Sequence, residues 1–341
     1  MKHILVTGGT GYIGSHTAVE LLNKGYEVTI MDNLSNSRAE VLDAIHQITG
    51  KRPSFAQIDL CNKEEINLFF RRNKMDAIIH FAAFKAVGES VQNPLKYYHN
   101  NLVSLIHLLE IVEEKKLDNF VFSSSCSVYG QSDVIPVHEK LVLPKAESPY
   151  GNTKQIGEKM VEDVVHGSSL NAIVLRYFNP GGAHESALIG EYPIDPPNNL
   201  VPVITQAAAG KLNSITVFGN DYSTPDGTCI RDYIHVVDVA KAHIAAIERL
   251  INKQSKKNFE IFNLGTGRGN SVLEVIQAFE KVTGIKLNYK IGNRRSGDVE
   301  KVWADTVLAN KELGWKAQLN LEDIMRTAWK WELALNEKII H

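Results

Sequence analysis

Tyr150 and Lys154 stand four residues apart in Tyr150-Gly151-Asn152-Thr153-Lys154, which puts a phenol and an ammonium on one face of a helix. There the ammonium can favour the phenolate, pulling Tyr150 below the ordinary phenol pKa of about 10. By itself this spacing arises by chance on surface helices. It gains weight from Ser123-Ser124-Ser125, a serine run at the end of an apolar strand, and from a glycine turn near the N-terminus. That turn, Gly8-Gly9-Thr10-Gly11-Tyr12-Ile13-Gly14, follows the first strand and opens a helix. Glycines there let the backbone approach a pyrophosphate, and the helix N-terminus beyond offers unpaired N–H groups. Asp32 closes the second strand about 20 residues on, where a carboxylate accepts from adenosine ribose hydroxyls and repels a 2′-phosphate, so NAD is expected over NADP. Asp59, ending the third strand, lies over the same sheet edge and can face the adenine.

Short apolar runs alternate with longer helical patterns through the first half. Strands are expected at Ile4–Val6, Glu27–Met31, Ser54–Ile58, Ala77–Phe81, Phe120–Ser123 and Ala172–Tyr177, and helices at Ser15–Lys24, Lys63–Asn73, Leu95–Lys115 and Tyr150–Val165. Near-continuous apolar strands between helices imply right-handed βαβ units and a doubly wound parallel sheet of α/β class, whose ligands bind at the C-terminal edge. Five of the eleven prolines (Pro180, Pro193, Pro196, Pro197, Pro202) then fall between residues 180 and 202. We therefore expect a Rossmann-type domain over 1–179 and a smaller α+β domain over 180–341, with segments near 235–250 packing back on the first. The second half should hold strands Ile215–Phe218, Phe259–Leu264 and Leu287–Ile291 and helices Val236–Leu250, Ser271–Val282 and Leu321–Leu335. Trp329 and Trp331 cannot share a helix face, so at least one should pack against another element.

The 341 residues suffice for about two domains. Lys+Arg 37 against Asp+Glu 39 gives a net charge of −2, which argues against nucleic-acid and membrane-surface partners. Three dispersed cysteines without CxxC spacing suggest a reducing cytoplasm rather than a disulfide framework, and no apolar run nears the roughly 20 residues of a membrane span. The chain turns at Gly8 before any signal-peptide core could form. Twelve scattered histidines without HExxH spacing argue against a catalytic metal. His80 and His235 are expected to be structural, and Cys126 a small apolar filler.

Over essentially its whole length the chain resembles the extended short-chain dehydrogenase/reductase family, and within it the branch that inverts C4 of UDP-hexoses. The resemblance rests on Gly8–Gly14, Phe81-Ala82-Ala83 with Lys85, Ser123–Tyr129-Gly130, Tyr150…Lys154, Arg176-Tyr177-Phe178-Asn179-Pro180, Asp226-Gly227-Thr228, Arg231-Asp232-Tyr233-Ile234-His235-Val236 and Asn263-Leu264-Gly265. It implies Tyr150 as general acid/base, Lys154 on the nicotinamide ribose and Ser125 on the reacting hydroxyl. NAD would be held by Gly8, Gly11, Tyr12, Ile13, Gly14, Asp32, Asn33, Asp59, Leu60, Phe81, Ala82, Ala83, Lys85, Asn100, Ser123 and Tyr177 besides Tyr150 and Lys154. The UDP-hexose would meet Lys85, Asn179, Asn199, Leu200, Thr216, Phe218, Arg231, Tyr233, Val272, Arg295, Asp298 and Val302, with the two guanidiniums on the diphosphate.

Relatives that eliminate water carry Asp and Glu after the serine or threonine, and decarboxylating relatives a Glu near Ser127. Here Cys126 and Ser127 stand instead, and the C4 inversion that the resemblance implies survives both comparisons. A non-catalytic NAD-binding protein is the other class, opposed by the intact Ser125, Tyr150 and Lys154. Members restricted to glucose and galactose carry a tyrosine in Gly-Asp-x-x-x-Tyr-Trp-Ala-Asp. Val302 takes its place in Gly297–Asp305, so room for an N-acetyl group, and thus UDP-GlcNAc and UDP-GalNAc as substrates, is expected. The family commonly dimerises through the pair of helices matching Leu95–Lys115 and Tyr150–Val165, and a homodimer is expected.

Overall fold

In the computed structural model, which describes residues 1–194, 196–295 and 297–340, seven strands form one parallel sheet. In chain order the elements are β1 (His3–Thr7), α1 (Tyr12–Asn23), β2 (Glu27–Asp32), α2 (Val41–Thr49), β3 (Ser54–Gln57), α3 (Lys63–Arg72), β4 (Ala77–His80), α4 (Val87–Gln92), α5 (Pro94–Tyr98), α6 (Ser104–Lys115), β5 (Asn119–Ser125), α7 (Pro149–Gly167) and β6 (Asn171–Tyr177). There follow β7 (Asn179–Gly181), α8 (Leu200–Ala208), β8 (Ile215–Phe218), β9 (Ile230–Arg231), β10 (Tyr233–His235), α9 (Val236–Ile251), β11 (Phe259–Leu264), β12 (Asn270–Ser271), α10 (Val272–Thr283), β13 (Tyr289–Gly292), β14 (Lys301–Val302) and α11 (Leu321–Ile340).

The sheet runs β11-β6-β5-β4-β1-β2-β3, so strand order reverses between β1 and β4, and ligands of such sheets bind at the carboxyl ends beside that reversal. Side chains alternate between two apolar layers, as the period of two demands. Ile4, Val6, Ile30, Ile79, Val121 and Ile173 face α1, α2 and α9, whereas Leu5, Met31, Ile78, Phe120, Phe122 and Val174 face α3, α6 and α7. Both faces are therefore buried, and the strands read as continuous apolar runs.

Phe259–Leu264, expected in the second domain, instead pairs in parallel with β6 as the seventh strand of the main sheet. Its run Phe-Glu-Ile-Phe-Asn-Leu carries no mark of which sheet it joins. α9, in the segment near 235–250 expected to pack back on the first domain, packs on α1. A further core joins α8, β8, α10 and α11 through Val201, Ile204, Val217, Ile276, Phe279 and Met325. Both C-terminal tryptophans are engaged: Trp329 meets Phe279 edge-on at 5.6 Å, and Trp331 donates through Nε1 to the Glu191 carbonyl at 2.9 Å.

The single helix expected at Leu95–Lys115 is interrupted, since a π-helical turn at His99–Val103 separates α5 from α6. Asn101 sits in that turn. Its carboxamide accepts from the Phe84 N–H at 2.8 Å and donates to the Phe84 carbonyl at 3.0 Å and to the Thr153 hydroxyl at 3.1 Å. A widened turn accompanies this inward placement of one side chain, and π-turns of this kind recur at functional sites. Among the described residues no helix is long and apolar enough to cross a membrane.

Candidate active site

α7 starts under control of Ser148, whose hydroxyl accepts the Gly151 N–H at 3.1 Å, with Pro149 preset for the first turn. Tyr150 thus lies on the first turn and Lys154 one turn below, facing the end of β5. Lys154 is buried and its Nζ donates to the Ser123 carbonyl at 2.8 Å, 5.1 Å from the Phe122 ring centroid and 5.9 Å from that of Tyr150. Ser125 Oγ accepts the Ser127 N–H at 3.1 Å and lies 3.0 Å from Ser127 Oγ.

The expectation that Lys154 draws the phenol below its usual pKa is not met in the chain alone. Burial pushes Tyr150 up to about 12, opposed by a hydrogen bond with Ser125. Burial also lowers Lys154 to about 8, against the attraction of Glu158. The ammonium is spent on the Ser123 carbonyl, and desolvation of the phenolate outweighs its distant charge.

The glycine turn lies flush against the neighbouring strand end. Gly8 has φ of 67° and a Cβ there would stand 2.7 Å from Ala82 N, while a Cβ on Gly14 would stand 2.3 Å from the Gly8 carbonyl oxygen. Larger residues would lift the first turn of α1 off β1. Gly11 caps α1 without a side-chain hydrogen bond, so the N–H groups of Tyr12, Ile13 and Gly14 open the helix unclaimed by a cap. The Asp32 carboxylate is held at the end of β2 by the N–H groups of Thr10 (3.2 Å) and Leu34 (2.9 Å) and by Ser37 Oγ (3.0 Å). Beside it Asn33 donates to Asp59 at 3.2 Å.

Phe81, Ala82 and Ala83 leave β4 on the other bank, Ser123 lies two residues before the end of β5, and Tyr177 ends β6. Tyr177 is 2.8 Å from His243 Nε2, and His243 Nδ1 lies 2.8 Å from the Val239 carbonyl, so Nδ1 carries the proton and Tyr177 donates. Burial lowers His243 to about 4, consistent with a neutral ring. A glycine cradle, an uncapped helix start and a fixed carboxylate fit a dinucleotide. Leu60 has its side chain buried in the core, and its carbonyl lies 2.9 Å from His107 Nδ1.

The substrate-side residues sit on the short strands of the second half. Asn179 opens β7 opposite Tyr233 of β10, and Arg231 on β9 stands in register with Val302 of β14. Arg231 donates to the Ile230 carbonyl at 2.9 Å. Arg295 forks onto Asp298 at 2.8 and 3.2 Å and lies 5.4 Å over the Phe218 ring, itself 41% exposed. Thr216 shares β8 with Phe218, Val272 begins α10, and Asn199 and Leu200 begin α8. Asn100 donates to the Asn101 carboxamide at 3.0 Å. Lys85 pairs with Glu191 at 2.9 Å, and Tyr12 donates through its hydroxyl to the Gly182 carbonyl at 2.6 Å.

Several residues that organise these groups carried no motif of their own. Asn101 ties the Lys85 loop to α7. Glu191 lies in the proline-rich segment. Glu158, buried on α7, takes a two-pronged bond from Arg176 and the Ser124 hydroxyl. Asp232 accepts from the N–H groups of Thr266, Gly267 and Ala304, which explains its place in Arg231-Asp232-Tyr233 as structural. His80 bonds Thr7 at 2.8 Å, His235 caps α9 through the Val237 N–H, and burial pushes the Cys126 thiol up to about 11.

A family model described as GDP-mannose 4,6 dehydratase matches residues 5–328. The chain is similar to UDP-glucose 4-epimerase of Bacillus subtilis, 49% identical over 330 residues and 96% of each chain. It is also similar to that of Haemophilus influenzae, 48% identical over 96% of this chain and 97% of the other. Among solved structures, UDP-glucose-4-epimerase from Stenotrophomonas maltophila, with bound NAD and formylated UDP-arabinopyranose, superposes with a TM-score of 0.95 at 46% identity, covering 99% and 100% of the two chains. The UDP-Glc/GlcNAc 4-epimerase of Campylobacter jejuni does so with a TM-score of 0.84 at 36% identity, covering 98% and 100%. The cradle at Gly8–Gly14, the trio of Ser125, Tyr150 and Lys154 and these likenesses agree, and the chain belongs to the UDP-glucose 4-epimerase branch of the extended short-chain dehydrogenase/reductase family.

Proposed function

We propose that this chain interconverts UDP-glucose and UDP-galactose by inverting C4 through a transient 4-keto sugar. The observation that carries the reading is Ser125, Tyr150 and Lys154 gathered at the sheet edge beside a glycine cradle closed by a fixed Asp32. Bound NAD supplies the acceptor and donor of the C4 hydride and is regenerated within each turnover. Ser125 orients the 4-hydroxyl, and the Tyr150 oxygen takes its proton and later returns it. Lys154 holds the ribose side. Arg231 and Arg295 keep their grip on the diphosphate while the flat keto sugar turns about its linkage and offers its other face. Residues 1–179 would hold the dinucleotide and 180–341 the nucleotide sugar, with β11 and α9 returned to the first part. The purified protein is expected to convert UDP-galactose to UDP-glucose without added NAD. Absence of conversion by NAD-loaded protein would refute the assignment.

Turnover of UDP-GlcNAc and UDP-GalNAc belongs to the same proposal. Val302 is 5% exposed, clusters with Phe178 and Tyr129 and is in register with Arg231, so a tyrosine there would add bulk beside these residues. The Campylobacter jejuni relative is a UDP-Glc/GlcNAc enzyme. Val302→Tyr should remove acetamido-sugar turnover and spare UDP-glucose, the retained activity serving as control for folding. Equal loss of both, or no acetamido turnover by the parent protein, argues against this role.

The free cysteines accord with a cytoplasmic setting, and a homodimer through α5, α6 and α7 would cover Leu95 (79% exposed) on α5. Light scattering should give twice the chain mass. A monomer mass at every concentration would exclude the dimer.

A further inference from the structure

The geometry points to Glu191 as a positioning residue that sets the Lys85 ammonium and the Asn199 carboxamide for the sugar nucleotide. One oxygen, Oε1, accepts from both Lys85 Nζ at 2.9 Å and Asn199 Nδ2 at 2.8 Å. Lys85 follows β4 on the dinucleotide side, and Asn199 caps α8 on the opposite bank, so a single carboxylate joins the two walls of the crevice. The inference rests on the sugar-nucleotide reading above and adds to it a residue outside the motifs.

Glu191 is well placed to act as a fixed reference. Its carbonyl accepts Trp331 Nε1 at 2.9 Å. The preceding Gly190 bridges to Ala183 and lies so close to the Trp331 indole that a Cβ would stand 2.5 Å from the ring. The proline-rich segment is thereby fastened to α11 at the point where the carboxylate emerges. The side chain is 11% exposed, against 52% for Lys85, so the acid is the stationary partner and the lysine the one being ordered. Glu191 Oε2 is buried with no hydrogen-bond partner among the described residues. An unpaired buried carboxylate oxygen is costly to keep and points to a role beyond packing.

Without the carboxylate charge, Lys85 and Asn199 must be ordered by the ligand itself, which weakens binding rather than chemistry. Glu191→Gln in the NAD-loaded protein should raise KM for UDP-galactose about tenfold, with kcat within about twofold. Calorimetric titration with UDP-glucose should show the same loss of affinity. In a Lys85→Met/Asn199→Ala background the same substitution should change affinity less than about twofold, because its targets are gone. A tenfold loss persisting in that background, or unchanged or tighter binding in the parent background, overturns the proposal. Failure of the parent protein to turn over UDP-hexoses that it binds would refute the epimerase reading and leave the affinity test standing. Failure to bind UDP-glucose at all would refute both.

Discussion

Tyr150→Phe is expected to lower UDP-galactose turnover by about 10²- to 10⁴-fold, the range that a positioned proton-transfer group contributes. The substitution removes one oxygen and leaves the ring, so the turn of α7 under Ser148 should be unaltered. The phenol is already shielded from water enough to be pushed up to about 12, with Ser125 as its hydrogen-bond partner. Losing the hydroxyl therefore removes the proton acceptor, while the Ser125 hydroxyl keeps its contact with Ser127. NAD content of the purified variant should match the parent, because the glycine cradle and Asp32 are untouched. The measurement is initial rate together with dinucleotide released on denaturation. A drop under tenfold with full NAD content would mean that another group carries the proton.

Glu158→Gln should destabilise the folded chain by about 3–5 kcal/mol, the usual result of leaving a buried charge without its partner. Glu158 and Arg176 are both nearly inaccessible and paired at 2.9 and 2.6 Å. Burial alone would lower the Arg176 pKa, yet the bonds to Glu158 hold it above the ordinary guanidinium value. Arg176 also donates to the Tyr129 hydroxyl at 2.9 Å, which donates to Asn263 at 2.6 Å, so the network spans β5, β6, α7 and β11. The amide preserves volume, and the effect isolates charge. With total stabilities of about 5–15 kcal/mol, such a loss should be plain in denaturant titrations. Replacing Arg176 by Met as well should recover much of it, since no unpaired charge then remains. A single-variant loss below about 1 kcal/mol would show that water already reaches the pair.

The placement of the candidate residues on their elements was legible because each position is tied to a local rule. Tyr150 and Lys154 follow from helical periodicity, Gly8–Gly14 from a turn that only glycine can make between β1 and α1, and Asp32 from its place at a strand end. Apolar runs located β1 to β6 to within about two residues, since a strand covered on both faces must be apolar throughout. Pairing partners are another matter. Phe259–Leu264 looks alike whether it joins a small sheet or the main one, and only packing against β6 and α9 sets it at the edge.

Long-range polar contacts were equally hidden. Asn101 gains meaning only where a π-turn aims it at Phe84 and Thr153, and Glu191 only where Trp331 fastens its backbone between Lys85 and Asn199. The state of the Tyr150 phenol, too, depended on how much water the fold excludes, a quantity that spacing along the chain does not contain. Local sequence thus determined that Tyr150 and Lys154 share a helix face and that a glycine turn joins β1 to α1. Tertiary structure decided their mutual orientation and protonation, because desolvation and side-chain hydrogen bonds between distant residues exist only once the chain has closed around them.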